Sequence, residues 1–296
     1  MCDSDWSSDV CSSDLRAMSD LLARSSAHWS EAGRAEMEAF YRLATEDYRH
    51  LAEARDWRGF FEDAQARAGA RPLRLLDVAC GSGKFPVALA RHAGLAEADL
   101  RPVETSLLDP SAFSIAEARA ALPAPFRAVA EHETTLQHFD PPPGGYDIVW
   151  ATHALYAIPE AELAAAMARF RAAIAPGGTG LIAHSAAAGH YIDFHRRFLA
   201  AFGPEGAAPY VPAEAIADTL RAQGAEIEVQ EVLYDSAAGP DDTAAVEGYL
   251  QRCVFDTRAS LAEMEAAAPL ADYLAACRGP EGWRFPQRVW LMTVSG

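Results

Sequence analysis

Lysine is nearly missing from this 296-residue chain: Lys84 stands alone, and arginine supplies the rest of the 25 basic side chains. Against them stand 42 acidic residues, which leaves a net charge of −17. So anionic a chain repels the phosphates of nucleic acid and of anionic membranes, and neither is expected as a partner. The preference for arginine, together with abundant alanine, points to a GC-rich bacterial gene. Cysteine is scarce as well. The five, at positions 2, 11, 80, 253 and 277, form no C-x-x-C pair and have no companion H-x-x-x-H, which argues against a disulfide framework or a zinc site and fits a reducing cytoplasm. Apolar runs long enough to span a bilayer, roughly 18 to 20 residues, are missing, and the first 15 residues lack the basic start and apolar middle of a signal peptide. The expectation is a soluble cytoplasmic protein, with monomer and homodimer both open.

What remains is a chain 50% hydrophobic, enough to bury the core of one large domain or of a domain with an appended lobe. Residues 1–15 repeat the element S-S-D and carry no helical or strand period. They resemble the translation of sequencing-adapter read-through and are set aside as a non-native or disordered tail, whose deletion is expected to leave the fold unaltered. Residues 16–70 are expected to form an N-terminal helical cap, because Met37, Phe40, Tyr41, Ala44, Tyr48 and Leu51 share one helix face.

Residues 71–296 alternate between strand and helix. Leu73 to Ala79 is an apolar run of strand length that ends in the turn Cys80-Gly81-Ser82-Gly83, and a helix follows at about Lys84 to His92. Val103 to Leu108 and Tyr146 to Trp150 are expected strands. Helices are expected through Ile115 to Leu122 and from Pro159 to Ile174, the latter ending at Pro176-Gly177-Gly178 before a short strand, Leu181 to His184. A helix at Ala213 to Gln223, a strand at Ala225 to Leu233, a helical lobe at about 236–283 and a strand centred on Val289 to Val294 complete the chain. Such alternation requires right-handed crossovers and a mostly parallel, doubly wound α/β sheet.

In such sheets the ligand lies at the carboxyl ends of the strands, where a glycine turn lets backbone approach it. The run Asp77-Val78-Ala79-Cys80-Gly81-Ser82-Gly83 sits there. A dinucleotide site wants a further glycine three residues after Gly83, where this chain has Pro86; an S-adenosylmethionine site wants D-x-x-x-G-x-G, which is present. Asp109, at the end of the second strand, is placed to accept both ribose hydroxyls, with a plain helix cap before Ser111 as the blander role.

Taken together, LLDVACGSG, LLDPS, YDIVWA and APGGTGLI resemble the successive motifs of class I S-adenosylmethionine-dependent methyltransferases over roughly residues 70–185. The resemblance implies a Rossmann-like seven-stranded sheet whose last strand is antiparallel. It implies S-adenosylmethionine as cofactor, held by Asp77, Ala79, Gly81, Gly83, Asp109, Pro110, Ser114, Thr134, Thr135 and Thr152. A narrower likeness, carried by Thr45-Glu46, Asp109-Pro110-Ser111, Glu133-Thr134-Thr135, His153-Ala154-Leu155-Tyr156 and Phe285-Pro286-Gln287, is to the histamine N-methyltransferase family. In that family the glutamate matching Glu46 holds the amine or imidazole substrate. A glutamine stands there in place of His153 and an asparagine in place of Gln287, while the serine matching Thr135 lies by the adenine.

The function that follows is methyl transfer to a small-molecule amine or imidazole nitrogen. Glu46 and His153 are expected to face the methyl group and to take up its acceptor's proton, with Tyr156, Gln287, Tyr41 and Phe194 as further substrate contacts. O- or carboxyl-methylation of a small metabolite, with His153 as base, and a non-catalytic S-adenosylmethionine-binding protein are the alternatives. His184, His190, Asp193 and His195 invite a metal reading, but spacings of six and five do not share a helix face. The aromatics Tyr48, Tyr191, Phe198 and Phe255 suit either a pocket or a core. Cys80 has no visible base, and a sulfonium donor needs no protein nucleophile.

Overall fold

The computed structural model describes residues 24, 34–204 and 207–296, with backbone alone at 34–42. The tail at 1–15 therefore lies outside the described residues. Two helices lead in, α1 (Arg34–Glu53) and α2 (Trp57–Ala68), the latter capped by the Asp56 side chain accepting from the Gly59 N–H. Strand and helix then alternate: β1 (Leu73–Val78), α3 (Lys84–His92), β2 (Val103–Asp109), α4 (Ala112–Ala121), β3 (Phe126–Glu133), β4 (Tyr146–Thr152), α5 (Glu160–Ala173) and β5 (Ile174–Ser185). The remainder comprises α6 (His190–Phe202), α7 (Ala213–Ala222), β6 (Ile227–Ala238), α8 (Thr243–Cys253), α9 (Leu261–Ala266), α10 (Ala268–Cys277), the two-residue β7 (Arg278–Gly279) and β8 (Gly282–Ser295).

The sheet runs β3-β2-β1-β4-β5-β8-β6, with β7 paired to β8. Pairs from β3 to β5 are parallel, and β8 is antiparallel to both β5 and β6. That is the expected mostly parallel sheet with an antiparallel last strand, and β7 brings the expected seven strands to eight.

Its strands read as unbroken apolar runs because both faces are covered. Leu76, Val149, Ala151 and Ile182 pack with Met167, Phe170, Ile216 and Leu220 on one face. Their neighbours Leu75, Ile148, Trp150 and Leu181 pack with Leu51, Trp57, Phe61, Phe85 and Leu89 on the other. No helix among the described residues is long and apolar enough to cross a membrane.

Two departures from the sequence expectations bear on the site. Strand β5 begins at Ile174, well ahead of Leu181, because Pro176-Gly177-Gly178 is an irregularity inside the strand where the β4 register shifts between Tyr146 and Ile148. A Cβ at Gly178 would lie 2.9 Å from the Ala175 carbonyl oxygen and 3.0 Å from those of Tyr146 and Asp147, so glycine lets the strands stay paired there. Strands β6 and β8 are also longer than their apolar cores. Only Val289–Ser295 of β8 pairs with β5, while the arm from Trp283 to Arg288 pairs with β6 and projects past the sheet. The arm enters a separate apolar cluster with Tyr191, Phe194, Tyr249, Leu250, Leu274, Trp283 and Phe285, so the helices between β6 and β8 fold around it.

Candidate active site

Strand β1 leaves the sheet through a tight left-handed turn: φ is 49° at Ala79, 50° at Gly81 and 70° at Gly83. Gly83 heads α3, and a Cβ there would stand 3.1 Å from the Ala118 Cα, so glycine is needed for both the angle and the packing against α4. A Cβ at Gly81 would meet nothing within 4 Å. Asp109, at the end of β2, closes the turn by accepting the Gly81 N–H at 3.0 Å and the Ser111 N–H at 2.9 Å. Burial pushes its carboxyl up to about 6, against the pull of those two N–H donors, and pushes Asp77 up to about 7 with the nearby Asp109 adding to it.

A carboxylate offers about four lone-pair positions, so Asp109 retains acceptors for a vicinal diol beside an open backbone approach at Gly81. These residues, with Asp77, Pro110, Thr135 and Thr152, line one cavity at the carboxyl ends of the strands. The arrangement fits the nucleoside of S-adenosylmethionine.

The same cavity continues to a second wall made by α1, the loop after β4, α6 and the end of α8. Its carboxylate is Asp47, 2% exposed. The Tyr191 hydroxyl donates to Asp47 Oδ2 at 2.5 Å and the Tyr234 hydroxyl to Oδ1 at 2.9 Å. Burial lifts Asp47 to about 7, against the opposing bonds from Tyr191, Tyr234 and Ser236.

Facing this carboxylate are aromatic rings. His153 lies 6.0 Å from Tyr48 edge-on and 5.9 Å from Tyr191, while Tyr156 lies 5.6 Å from Tyr210. Phe255 and the buried Arg252 complete the lining. Among the described residues the non-glycine positions with positive φ are Ala79, His153 (51°) and Phe255 (49°), and all three line this cavity. Strained backbone of this kind concentrates where side chains or main-chain groups must be aimed at a ligand.

The sequence-predicted site residues divide accordingly. Asp77, Ala79, Gly81, Asp109, Pro110, Thr135, Thr152, His153 and Tyr156 line the cavity. Gly83 and Ser114 stand behind it as helix-start residues, Ser114 donating its N–H to the Ser111 hydroxyl, and Thr134 does not line it.

Glu46 is a correction. It is 45% exposed and its carboxylate pairs with Arg49 at 2.6 Å, so it does not share a pocket with His153. The next residue along the helix does. The missed signal was periodic: Asp47 follows Ala44 by three and precedes Leu51 by four, a lone acid on the apolar face.

His153 needs a second correction. Burial, with His184 adding to it, pushes its imidazole down to about 3, so it is no base poised near neutral pH. Phe194 is fully buried in the lobe core. Gln287, on the projecting arm of β8, is 2% exposed and donates to the Ser236 hydroxyl and the Tyr249 hydroxyl, both at 3.0 Å, behind the cavity instead of in its wall. The Tyr41 side chain lies outside the described residues. His184 and His195 are taken up by the Val211 carbonyl at 2.8 Å and the Tyr210 N–H at 3.2 Å, and His190 by the Tyr273 hydroxyl at 2.6 Å. Tyr210, Tyr234 and Arg252 had no motif to mark them.

Residues 44–230 match the family described as methyltransferase domain. No curated protein sequence matches the chain. Among solved structures, a proposed methyltransferase of Bacillus halodurans is 14% identical, with 79% of this chain and 97% of that one covered at a TM-score of 0.50. The magnesium protoporphyrin IX methyltransferase of Synechocystis, solved with bound S-adenosylhomocysteine, is 13% identical over 92% and 97% of the two chains, with a TM-score of 0.49. A possible histamine N-methyltransferase of Thermotoga maritima is 12% identical over 90% and 98%, with a TM-score of 0.47.

Proposed function

The chain belongs to the methyltransferase-domain family, and on that premise we propose that it moves the methyl group of S-adenosylmethionine to a nitrogen of a small amine or imidazole. The observation that carries the acceptor class is Asp47, a buried carboxylate in an aromatic-walled extension of the cavity that also holds Asp109 and Gly81. S-adenosylmethionine, when bound, supplies a methyl group already activated by its sulfonium. The protein's task is then alignment and exclusion of water, and alignment of two bound reactants can contribute as much as about 7–11 kcal/mol.

Asp109 and the Gly81 backbone hold the ribose end. Tyr48, Tyr156 and Tyr191 line the site with rings whose faces attract a cation by about 0.5–2 kcal/mol per well-placed ring and keep the site dry. Asp47 holds the protonated nitrogen and takes its proton, a role suited to a carboxyl raised to about 7.

Arg252 supports the second reading. It is 3% exposed in the same wall, where a guanidinium would hold a carboxylate, as O- or carboxyl-methylation of a metabolic acid requires. Transfer of labelled methyl from S-adenosylmethionine to matched panels of amines and acids separates the two. Amines are expected to accept the label, and Asp47→Asn to abolish that transfer while S-adenosylhomocysteine still binds. Labelling of acids alone, lost in Arg252→Gln, would overturn the amine reading.

A further inference from the structure

The polar atoms of His153 are unequally spent. Its Nδ1 lies 2.7 Å from the Tyr156 hydroxyl, while Nε2 is buried with no partner. The ring stands in the cavity wall, edged by Tyr48 and Tyr191, and the main chain beneath it is held at φ 51° with its N–H donated to the Ala183 carbonyl at 2.8 Å. A second polar atom in the same wall, the Tyr210 hydroxyl, is also buried without a partner.

The bond to Tyr156 decides which nitrogen carries the proton. A neutral imidazole has one donor and one acceptor nitrogen. The Tyr156 hydroxyl proton needs an acceptor, and His153 Nδ1 is the one within reach among the described residues. With the roles reversed, Nδ1–H would donate to the Tyr156 oxygen, the phenol proton would have no acceptor, and Nε2 would be an orphaned lone pair. Two buried groups would then be unsatisfied instead of one, which costs free energy. Full protonation is opposed by burial and by the neighbouring His184.

We infer that His153 meets the methyl acceptor as a neutral hydrogen-bond donor through Nε2–H, so that the molecule methylated carries a lone-pair oxygen or nitrogen besides the nitrogen held at Asp47. Tyr156 is the positioning residue that fixes this tautomer, and the Tyr210 hydroxyl offers a second unspent polar group to the same acceptor. The substrate class rests on the amine reading above; the tautomer does not. The inference explains why an imidazole that cannot serve as a base near neutrality lines the cavity at a strained backbone position. It selects among small amines those with a heteroatom to match, since an acceptor lacking one would leave the donor buried and unpaired.

Nitrogen NMR of the full chain labelled at histidine tests the tautomer without any substrate. The expected result is one imidazole, absent from His153→Gln, with protonated Nε2 and bare Nδ1, unchanged between pH 5 and 8. The charged and titratable groups around it are His184, Tyr48, Tyr156, Tyr191 and, through Tyr191, Asp47. In Tyr156→Phe the same imidazole should lose its fixed tautomer and show both forms. An Nδ1–H form in the parent protein, or a titration between pH 5 and 8, overturns the inference even if amines prove to be the acceptors. Where His153→Gln fails to fold, the signal that moves in Tyr156→Phe identifies the residue.

A second measurement reads the donor in catalysis with a matched pair of arylalkylamines that differ by one ring heteroatom. His153→Leu should raise KM for the heteroatom-bearing amine roughly tenfold and leave the other within about twofold, with His153→Gln restoring the difference. Equal effects on both amines would overturn the donor role and leave the amine reading standing.

Discussion

Tyr191 and Asp47 stand 144 positions apart in the chain and 2.5 Å apart in the fold, the phenol donating to the carboxylate. The contact joins α6 to α1 in the wall of the cavity, and with the Tyr234 hydroxyl it leaves Asp47 hydrogen-bonded on both oxygens. A carboxyl so placed is neither a plain buried acid nor a surface ion, and its proton equilibrium follows from that.

Asp47 and Asp77 sit at about 7 and Asp109 at about 6, each raised from 3.8. The folded protein therefore keeps protons that the unfolded chain has released. The stability this contributes is whole below about pH 4 and is lost as pH rises through 6 to 7. His153, His190 and His195, at about 3, and His184, at about 4, act in the opposite sense, because their folded values lie below 6.5; their contribution is whole above 6.5 and lost as pH falls toward 4. The two sets oppose one another, and because the unfolded histidines are still half protonated at pH 6.5 the opposition persists up to about pH 8, where the four histidines nearly offset the three carboxyls. The melting temperature of the ligand-free protein is expected to be nearly level between pH 6.5 and 8, and that of Asp47→Asn to rise over the same interval, because one opposing carboxyl is gone. The same pH dependence in parent and Asp47→Asn proteins would contradict the assignment.

Asp109 links the glycine turn to the second strand and is the group expected to receive the ribose hydroxyls. Its replacement by alanine removes a charged acceptor, at about 1.5–3 kcal/mol, and so weakens S-adenosylhomocysteine binding roughly 10- to 150-fold. Because its carboxyl is raised to about 6, binding should also weaken as pH drops from 7 to 5. Calorimetry at the two pH values on parent and Asp109→Ala proteins checks both statements; unchanged affinity in the variant removes Asp109 from the site.

Glu46 now serves as a negative control. Its carboxylate faces Arg49 on an exposed helix surface, where an ion pair contributes little, about 0–1 kcal/mol. Glu46→Gln is expected to leave S-adenosylhomocysteine affinity, amine turnover and melting temperature nearly unchanged, in contrast with Asp47→Asn one position away. A large loss of amine turnover in Glu46→Gln with normal turnover in Asp47→Asn would reverse the two roles.

Sequence alone determined the α/β architecture, because each strand's apolar run and each helix's period are local and repeat in register with the turns between them. It also marked one end of the cavity. Asp77, Gly81 and Asp109 lie at strand ends whose position follows from the alternation itself, and a left-handed turn needs glycines that a sequence displays directly.

The opposite wall of the cavity was decided by tertiary structure. Asp47 and Glu46 are adjacent acids with the same local propensity, and only the packing of α1 against β6 and α8 chooses which one turns inward to meet Tyr191 and Tyr234. His153 was found from its place after a strand, but its chemistry was not, since a histidine's proton depends on how much water surrounds it and which hydroxyl faces it. Tyr210, Tyr234 and Arg252 belong to three separate stretches after the parallel strands, and no periodicity within any one of them records that Tyr234 reaches Asp47 or that Tyr210 and Arg252 line the same cavity.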